Sequence, residues 1–377
     1  MLRSSGSWLV LGHAEATTLL RSSATRSGFI ADLYRELLPP GAARDEMAHR
    51  VNFLDPPDHT RVRRLVAKAF TPRRVAALQP YVAALCEQLL RPLAGARDLD
   101  LIAAFSHQVP SLVISELLGV PTADRDRLTT LSDRVSDLLG LRANLERGPG
   151  GAIAAAESLH EYLRALIAER RRTPTDDLLS ALLAAEEDNE RLREEELLSL
   201  AATLYSAGHR TTRDLFSNGL AALLPERALV DAIRAGSIPT AAVVEEFLRF
   251  ETPTHYVARM LTEPLELDGV TIPPDEPIAI VLAAANRDPA AYPTPEQFDP
   301  RRWTRDPEPP PPLSFAFGAH FCVGASLARL EAGTMLESLF AILPEITLAD
   351  EPLRWRHTGL FRSLEALPVH PGAPSRA

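Results

Sequence analysis

The chain has 377 residues, of which 46% are hydrophobic, and its formal net charge is −10. The acidic balance argues against nucleic acid as a main partner, and no stretch is apolar enough to predict a transmembrane helix. The first residues are too polar for a signal peptide, and the only two cysteines, Cys86 and Cys322, lie far apart. We therefore expect a cytoplasmic protein without a disulfide framework.

The first 70 residues predict a strand and a helix over 8–22, an irregular segment over 23–50, and a second helix. That second helix follows two prolines, and Asp58 is predicted to cap it. His59 and Arg63 are four residues apart, so they share one face of this helix. The face can serve either to bind an anion or simply to meet solvent.

Residues 74–200 are predicted to be mainly helical, because apolar residues recur at spacings of three and four. Cys86 falls on the apolar face and is predicted to lie in the core. The glycine-rich break at 148–151 is predicted to separate two helices, and P-T-D-D at 174–177 to begin another.

Residues 194–224 form the longest helical pattern, which Pro225 ends. The middle of this pattern reads A-G-H-R-T-T over 207–212. A glycine inside a helix costs about 1 kcal/mol relative to alanine, and threonines bond back to backbone carbonyls. The segment is either a tolerated weak spot or a place where the helix passes close to a ligand.

A further helix over 242–250 carries Glu246 and Arg249 three residues apart. Such a pair is either a surface ion pair or a buried pair that needs more partners. After Pro253 the pattern predicts strands, with a D-G hairpin turn at 268–269 and a strand over 277–286. A proline-rich loop is predicted over 286–313, and a strand pair that turns near Gly359 ends the chain.

Cys322 lies in the sequence F-A-F-G-A-H-F-C-V-G-A-S-L-A-R, which spans 315–329. A helix is predicted over 323–341, so the thiol precedes a helix N-terminus, where the thiolate is favoured. Phenylalanines in the loop would keep water away from it. A lone cysteine is also often an inert buried residue, and the loop alone does not distinguish the two readings.

Taken together, these features resemble the cytochrome P450 haem-thiolate monooxygenases, especially the soluble bacterial kind, from about residue 8 to residue 369. The resemblance rests on D-H-T-R-V-R-R, A-G-x-x-T-T, Glu-x-x-Arg, F-D-P-R-R-W and F-x-x-G-x-H-x-C-x-G. It implies a mainly α-helical fold with small β-sheets, a triangular helical prism around a buried haem. We expect one such domain over 1–377, without the N-terminal helix that family members usually have.

The resemblance also implies residue roles. Cys322 would be the ligand of the iron in haem b. The haem propionates would be bound by His59, Arg63, Arg259 and His320. Residues that would lie close to the haem or its bound oxygen are Phe315, Ala207, Gly208 and Gly324. The Cys loop would be supported by Glu246, Arg249 and Arg302. The substrate pocket would be lined by Leu204, Thr254, His255, Tyr256, Val257, Leu360 and Phe361.

Thr211 matches the threonine that helps to deliver protons to bound dioxygen. Two residues depart from the family pattern here. Arg210 replaces the acid that usually precedes the threonine, so His209 or Asp214 would have to substitute for that acid. Arg210 itself would pair with Asp214 or bind a substrate carboxylate. Ala316 stands where the family usually has glycine.

The implied activity is hydroxylation or epoxidation of a hydrophobic small molecule, an intermediate of secondary metabolism. O2 would be the co-substrate. Electrons would come from NAD(P)H through ferredoxin reductase and ferredoxin, with ferredoxin docking on a basic patch of Arg64, Lys68, Arg73 and Arg74. The enzyme would be a monomer that acts without a membrane.

Because Arg210 replaces the acid, a second candidate is ring coupling, desaturation or peroxide-driven turnover on the same scaffold. A third is a non-enzymatic sensor, against which the retained Cys322 and Thr211 count.

Overall fold

The computed structural model describes residues 2–4, 6–140, 150–186, 190–357 and 359–372. Helices account for most of this part of the chain. They are α1 (His13–Arg21), α2 (Phe29–Leu37), α3 (Ala42–His49), α4 (Asp58–Ala69), α5 (Pro72–Ala77), α6 (Gln79–Leu90), α7 (Gln108–Leu117), α8 (Arg125–Ser136), α9 (Gly150–Arg172), α10 (Leu178–Ala184), α11 (Glu194–Leu223), α12 (Arg227–Arg234), α13 (Thr240–Phe250), α14 (Leu282–Ala285) and α15 (Ala325–Ile342). None of them is long and apolar enough to span a bilayer.

The strands form small sheets at the edge of this helical body. They are β1 (Leu2–Ser4), β2 (Ser7–Val10), β3 (Thr25–Arg26), β4 (Leu99–Asp100), β5 (Val257–Leu261), β6 (Leu265–Leu267), β7 (Val270–Ile272), β8 (Pro277–Ile280), β9 (Thr347–Leu348), β10 (Trp355–His357), β11 (Arg362–Leu364) and β12 (Pro368–His370). The largest sheet has the order β1-β2-β8-β5-β3, in which only β2 and β8 are parallel. The mainly helical fold with small sheets is therefore confirmed.

Helix α11 is the central element, because α3, α7, α8 and α13 all pack against it. Its 30 residues span about 45 Å at 1.5 Å per residue. At its N-terminus the Glu196 carboxylate accepts the Arg193 N–H at 2.8 Å, which satisfies a free backbone donor. The predicted long helix is confirmed, and it runs without interruption through the A-G-H-R-T-T segment.

The prediction that residues 23–50 are irregular is wrong, because the segment forms β3, α2 and α3. Apolar residues in α2 recur at helical spacing, and Ala31 and Tyr34 are buried. The prolines and glycine at 39–41 conceal this pattern, since they separate two helices of only 9 and 8 residues.

The cap predicted for α4 is also wrong. Asp58 is the first helical residue and caps nothing; its carboxylate instead pairs with Arg61 and Arg193. The strand predicted over 277–286 ends at Ile280, because α14 follows it. An alanine-rich sequence after the strand has high helix propensity, and this explains the early end.

Several local predictions are confirmed. The D-G turn joins β6 to β7, and both turn residues, Asp268 and Gly269, have positive φ. Asp177 caps α10 by accepting the Ser180 N–H at 2.7 Å. The strand pair predicted around Gly359 is β10 with β11, but it is not the last element, because β12 follows and pairs with β4 and β9. Of the glycine-rich break at 148–151, residues 148–149 lie outside the described residues and 150–151 begin α9.

Helices α6 and α15 pack closely and bury two titratable side chains between them. Cys86 is fully buried, as predicted, and burial raises the pKa of its thiol to about 12. Glu331 is 1% exposed, and its Oε2 has no hydrogen-bond partner among the described residues. Burial therefore raises the pKa of Glu331 well above its ordinary value, because the charged form is desolvated.

We expect Glu331→Gln to stabilise the protein increasingly as pH rises above about 4.5. Below that pH the Glu331 carboxyl is protonated in both the folded and the unfolded states. Above it the unfolded state loses the proton first, which lowers wild-type stability by up to about 1.4 kcal/mol per pH unit until the folded group ionises. The amide of the variant has no proton to lose.

Denaturation midpoints measured at pH 5 and pH 7.5 test this expectation. Glu337→Gln is the control, since Glu337 lies exposed on the same helix. The expectation would be contradicted if the difference in denaturation midpoint between Glu331→Gln and wild type were the same at both pH values.

Candidate active site

The loop before Cys322 has an unusual backbone. Ala316 has φ 56° and ψ −158°, a region that glycine enters readily and other residues only with strain. Gly318 has φ 69°, and a Cβ there would lie 2.3 Å from the Leu20 carbonyl oxygen. The Cys322 N–H donates to the Phe315 carbonyl at 3.0 Å. The loop is thus folded back on itself and pressed against α1.

Cys322 is solvent-accessible, and yet burial raises the pKa of its thiol. Both properties hold together when a side chain faces a space inside the protein. The Gly324 backbone N–H, Arg63 and Arg329 lower the pKa, but burial outweighs them. The helix start does lower the pKa of the thiol, through the Gly324 N–H, but desolvation has the larger effect and the net shift is upward.

The side chains expected to bind the haem propionates lie in one cluster; they are His59, Arg63, Arg259 and His320. The rings of His59 and His320 are 4.0 Å apart. Burial and neighbouring cations, Arg63 for His59 and chiefly Arg259 for His320, lower their pKa values to about 4 and about 3. Arg63 donates to the Phe321 carbonyl at 2.7 Å, which ties α4 to the Cys loop.

In the described part of the chain no carboxylate forms an ion pair with Arg63 or Arg259, although Asp55 lies close enough to raise the pKa values of His59 and Arg259. Burial lowers the pKa of Arg259 to about 10, and the His320 Nδ1 is buried without a partner among the described residues. The nearby Asp55 carboxylate accepts the N–H groups of Ser27 and Gly28. A buried group with carboxylates would satisfy these donors. The accessible thiol and the cation cluster together fit a haem with its two propionates.

Glu246 and Arg249, both 0% exposed, are joined by two hydrogen bonds of 2.7 and 2.9 Å. Arg302 lies 3.1 Å from the same carboxylate. Two partners that the sequence reasoning missed complete the site: the Trp303 Nε1–H and the Asp299 N–H donate to Glu246 at 3.0 and 2.8 Å. Trp303 ends the F-D-P-R-R-W motif and Asp299 lies within it, so this motif was the sequence feature from which both partners could have been predicted.

This network continues to the Cys loop through Asn286. Arg249 donates to the Asn286 carbonyl at 3.2 Å. The Asn286 side chain donates to Ser314 and accepts the Leu313 N–H, at 2.8 and 2.7 Å. Leu313 and Ser314 immediately precede the folded-back loop, so the network fixes where that loop begins. Phe315 lies under the Arg329 guanidinium, 4.7 Å from it.

Helix α11 is buried along most of its length, but Leu204, Ala207, Gly208 and Thr211 are partly or fully accessible. Their spacing of three, four and seven places them on one face, which therefore borders an internal space. The Thr211 hydroxyl donates to the Ala207 carbonyl at 2.8 Å. Gly208 also lies close to α7, since a Cβ there would lie 3.0 Å from the Ile114 side chain. The glycine therefore eases the packing of α11 against α7, and its place beside a haem stays a prediction.

The residues expected to replace the missing acid do not lie on that open face. His209 is fully buried, bonded to the Tyr205 carbonyl at 2.8 Å and to Asp133 at 3.0 Å. Asp214 pairs with Arg213 at 2.8 Å and accepts from Ser363 at 2.7 Å. The Arg210–Asp214 ion pair is absent, because Asp214 is already satisfied.

The residues predicted to line the substrate pocket come from two segments that the structure joins. Thr254 and Phe361 form a β-bridge, and the His255 N–H donates to the Leu360 carbonyl at 2.9 Å. Tyr256 and Val257 follow, and all six side chains are partly accessible. Burial and Arg362 lower the pKa of His255, so it is neutral near pH 7.

Comparison with known proteins shows which family the chain matches. The family model described as Cytochrome P450 matches residues 9–235 and 239–341. The chain is 41% identical over 381 residues to the vitamin D(3) 25-hydroxylase of Pseudonocardia autotrophica, covering 97% of this chain and 91% of the relative. It is 35% identical to the 6-deoxyerythronolide B hydroxylase of Saccharopolyspora erythraea, covering 96% and 89%.

Among solved structures, P450BioI in complex with acyl carrier protein ligated to hexadec-9Z-enoic acid superimposes with a TM-score of 0.85. The two chains are 34% identical, and the superposition covers 97% of this chain and 91% of that one.

We expect Ala316→Gly to raise the free energy of unfolding by about 1 kcal/mol. Relief of the strained backbone gains about 1–3 kcal/mol, and the greater freedom of glycine in the unfolded chain offsets about 0.4–1 kcal/mol. Ala319→Gly is the matched control, since Ala319 is exposed and its φ is negative. It should lower stability. Calorimetric melting of both variants tests the sign, and a loss in both would show that Ala316 is not strained.

Proposed function

The chain belongs to the cytochrome P450 family, and from that premise we propose that it hydroxylates or epoxidises a hydrophobic intermediate of secondary metabolism. The family binds haem and uses O2. The observation that carries the proposal is the accessible Cys322 thiol inside the protein, together with Arg63 and Arg259, which form no ion pair with any of the described residues. The vitamin D(3) and 6-deoxyerythronolide B hydroxylases act on small molecules of this general class, which supports the substrate class.

In this proposal Cys322 binds the iron, and Arg259, Arg63, His59 and His320 bind the propionates. A thiolate-bound haem supplies oxygen activation, because the thiolate donates electron density that favours O–O cleavage. Cys322 would lose its proton on binding the metal, because the thiolate is the ligand. Burial raises the pKa of the thiol and so opposes this loss. Arg63 and Arg329 favour this release electrostatically.

Thr211 is the residue of this chain placed to hold a proton at the open face of α11. Its Oγ1 donates to the Ala207 carbonyl and retains lone pairs that can accept from water. Arg210, immediately before it, cannot release a proton near neutral pH. His209 and Asp214 are engaged elsewhere, so we propose that ordered water at Thr211 supplies protons.

We propose further that electrons come from NAD(P)H through ferredoxin reductase and ferredoxin. Arg64, Lys68 and Arg73 are exposed on α4 and α5 and would attract an acidic partner. The alternative, a non-hydroxylating or peroxide-driven oxidation on the same scaffold, is favoured by Arg210 in place of an acid. Turnover driven by ferredoxin and its reductase, compared with turnover driven by hydrogen peroxide, distinguishes the two.

We expect the reduced haem-loaded protein to give a thiolate-type Soret shift when carbon monoxide binds, and Cys322→Ala to lose that shift. Removing the sulfur removes the only candidate thiolate, because Cys86 is buried between α6 and α15. Cys86→Ala is the matched control and should keep the shift. A wild-type protein without a thiolate-type spectrum would overturn the proposed function, and so would a Cys322→Ala variant that retains it.

A further inference from the structure

Arg210 is a buried cation that no part of the proposed chemistry uses. It lies on α11 between His209 and Thr211, and it is 5% exposed. Its guanidinium stacks on the ring of Phe361, with the guanidinium carbon 4.9 Å from the ring centre. Leu204, Ala207 and Thr211 on the same helix border the internal space, and Phe361 is partly accessible. Arg210 therefore lies at the margin of that space.

The guanidinium lacks a close carboxylate. Asp137 is the nearest acid, and its Oδ1 is 3.9 Å from Nη1, beyond hydrogen-bond distance. Asp214 and Asp133 are occupied by Arg213 and His209. The Arg210 Nε is fully buried and has no hydrogen-bond partner among the described residues. Burial lowers the pKa of Arg210, although the Asp214, Asp137 and Asp133 carboxylates act in the opposite direction.

Other buried arginines differ from Arg210. Arg50, Arg170 and Arg249 each have a carboxylate oxygen within 2.5–2.7 Å. Arg259 resembles Arg210, because it too has no carboxylate within hydrogen-bond distance among the described residues. We assign Arg259 to the anionic propionates of the haem. A buried donor without a partner costs about 1–3 kcal/mol, and more when it is charged. Arg210 is thus a buried cation without a hydrogen-bonded carboxylate, unlike Arg50, Arg170 and Arg249. This is expected where a ligand supplies the missing anion.

We propose that Arg210, stacked on Phe361, binds a carboxylate group of the substrate. A guanidinium presents parallel N–H donors that match the two oxygens of a carboxylate, and its single positive charge balances a single negative one. The aromatic ring of Phe361 holds the guanidinium plane, while Leu204 offers apolar contact to the rest of the molecule. This inference rests on the proposed function, and it narrows the substrate class to hydrophobic carboxylic acids.

Isothermal titration of the haem-loaded protein with dodecanoate and with 1-dodecanol tests the proposal. The two probes share a chain and differ in charge. Wild type should bind dodecanoate at least 10-fold more tightly than the alcohol. Arg210→Gln should weaken dodecanoate binding about 10- to 100-fold, the effect of one hydrogen-bonded charge pair, and change dodecanol binding less than 3-fold. Arg210→Lys should retain part of the preference.

Arg134→Gln is the matched control, because Arg134 is exposed on α8, and it should bind both probes as wild type does. If wild type binds the two probes equally, or binds neither, the proposal is overturned. It is also overturned if Arg210→Gln weakens both equally, because that is what a purely structural role beside Asp137 would produce. The carbon monoxide spectrum, recorded for every variant, separates these results from failure of the proposed function, which would appear as a missing thiolate signal in wild type.

Discussion

The Glu246 carboxylate organises the proximal half of the molecule. It accepts from Arg249, Trp303, Arg302 and the Asp299 backbone, and all of these lie in the interior. Removing one partner from a buried ion pair costs about 3–5 kcal/mol, because the remaining charge stays uncompensated. Glu246 therefore locks α13 to the segment around residue 300, and Arg249 carries the constraint through Asn286 to Leu313 and Ser314. The position of Cys322 depends on this sequence of contacts.

The Cys loop can keep a strained backbone because the residues just before it, Leu313 and Ser314, are held in place. Ala316 adopts an angle that favours glycine, and Gly318 passes so close to Leu20 that no side chain fits. Strain of this kind persists only when the surrounding structure over-determines it. The result is a Cys322 thiol that faces an internal space and whose pKa is raised by burial. The network of contacts fixes the position of the thiol, whereas desolvation raises its pKa.

The sequence predicts elements well where a pattern is long or a motif is chemically specific. Helix α11 is confirmed because thirty residues of periodic pattern outweigh one glycine and two threonines. The sequence pattern does not predict helices α2 and α3, because each helix is short and two prolines and a glycine lie between them. The Glu246–Arg249 pair is read as either surface or core, and only tertiary packing decides it. The close approach of Gly208 to Ile114 is not predictable from the sequence, since Ile114 belongs to a helix some ninety positions earlier.

Unbalanced buried charge is the feature that connects the two sides of the site. Most buried cations in the described chain have a carboxylate within hydrogen-bond distance, as desolvation requires. Arg259 and Arg210 do not. Arg210 has only the Asp137 carboxylate, at 3.9 Å. A buried cation without a hydrogen-bonded carboxylate is costly, and both residues are more than 90% buried. Under the proposed function the haem propionates would complete Arg259, beside which His59 and His320 lie. Both carboxylates of the haem would then be engaged at that cluster. In the same proposal a carboxylate of the substrate would complete Arg210, which lies beside Phe361 at the margin of the internal space.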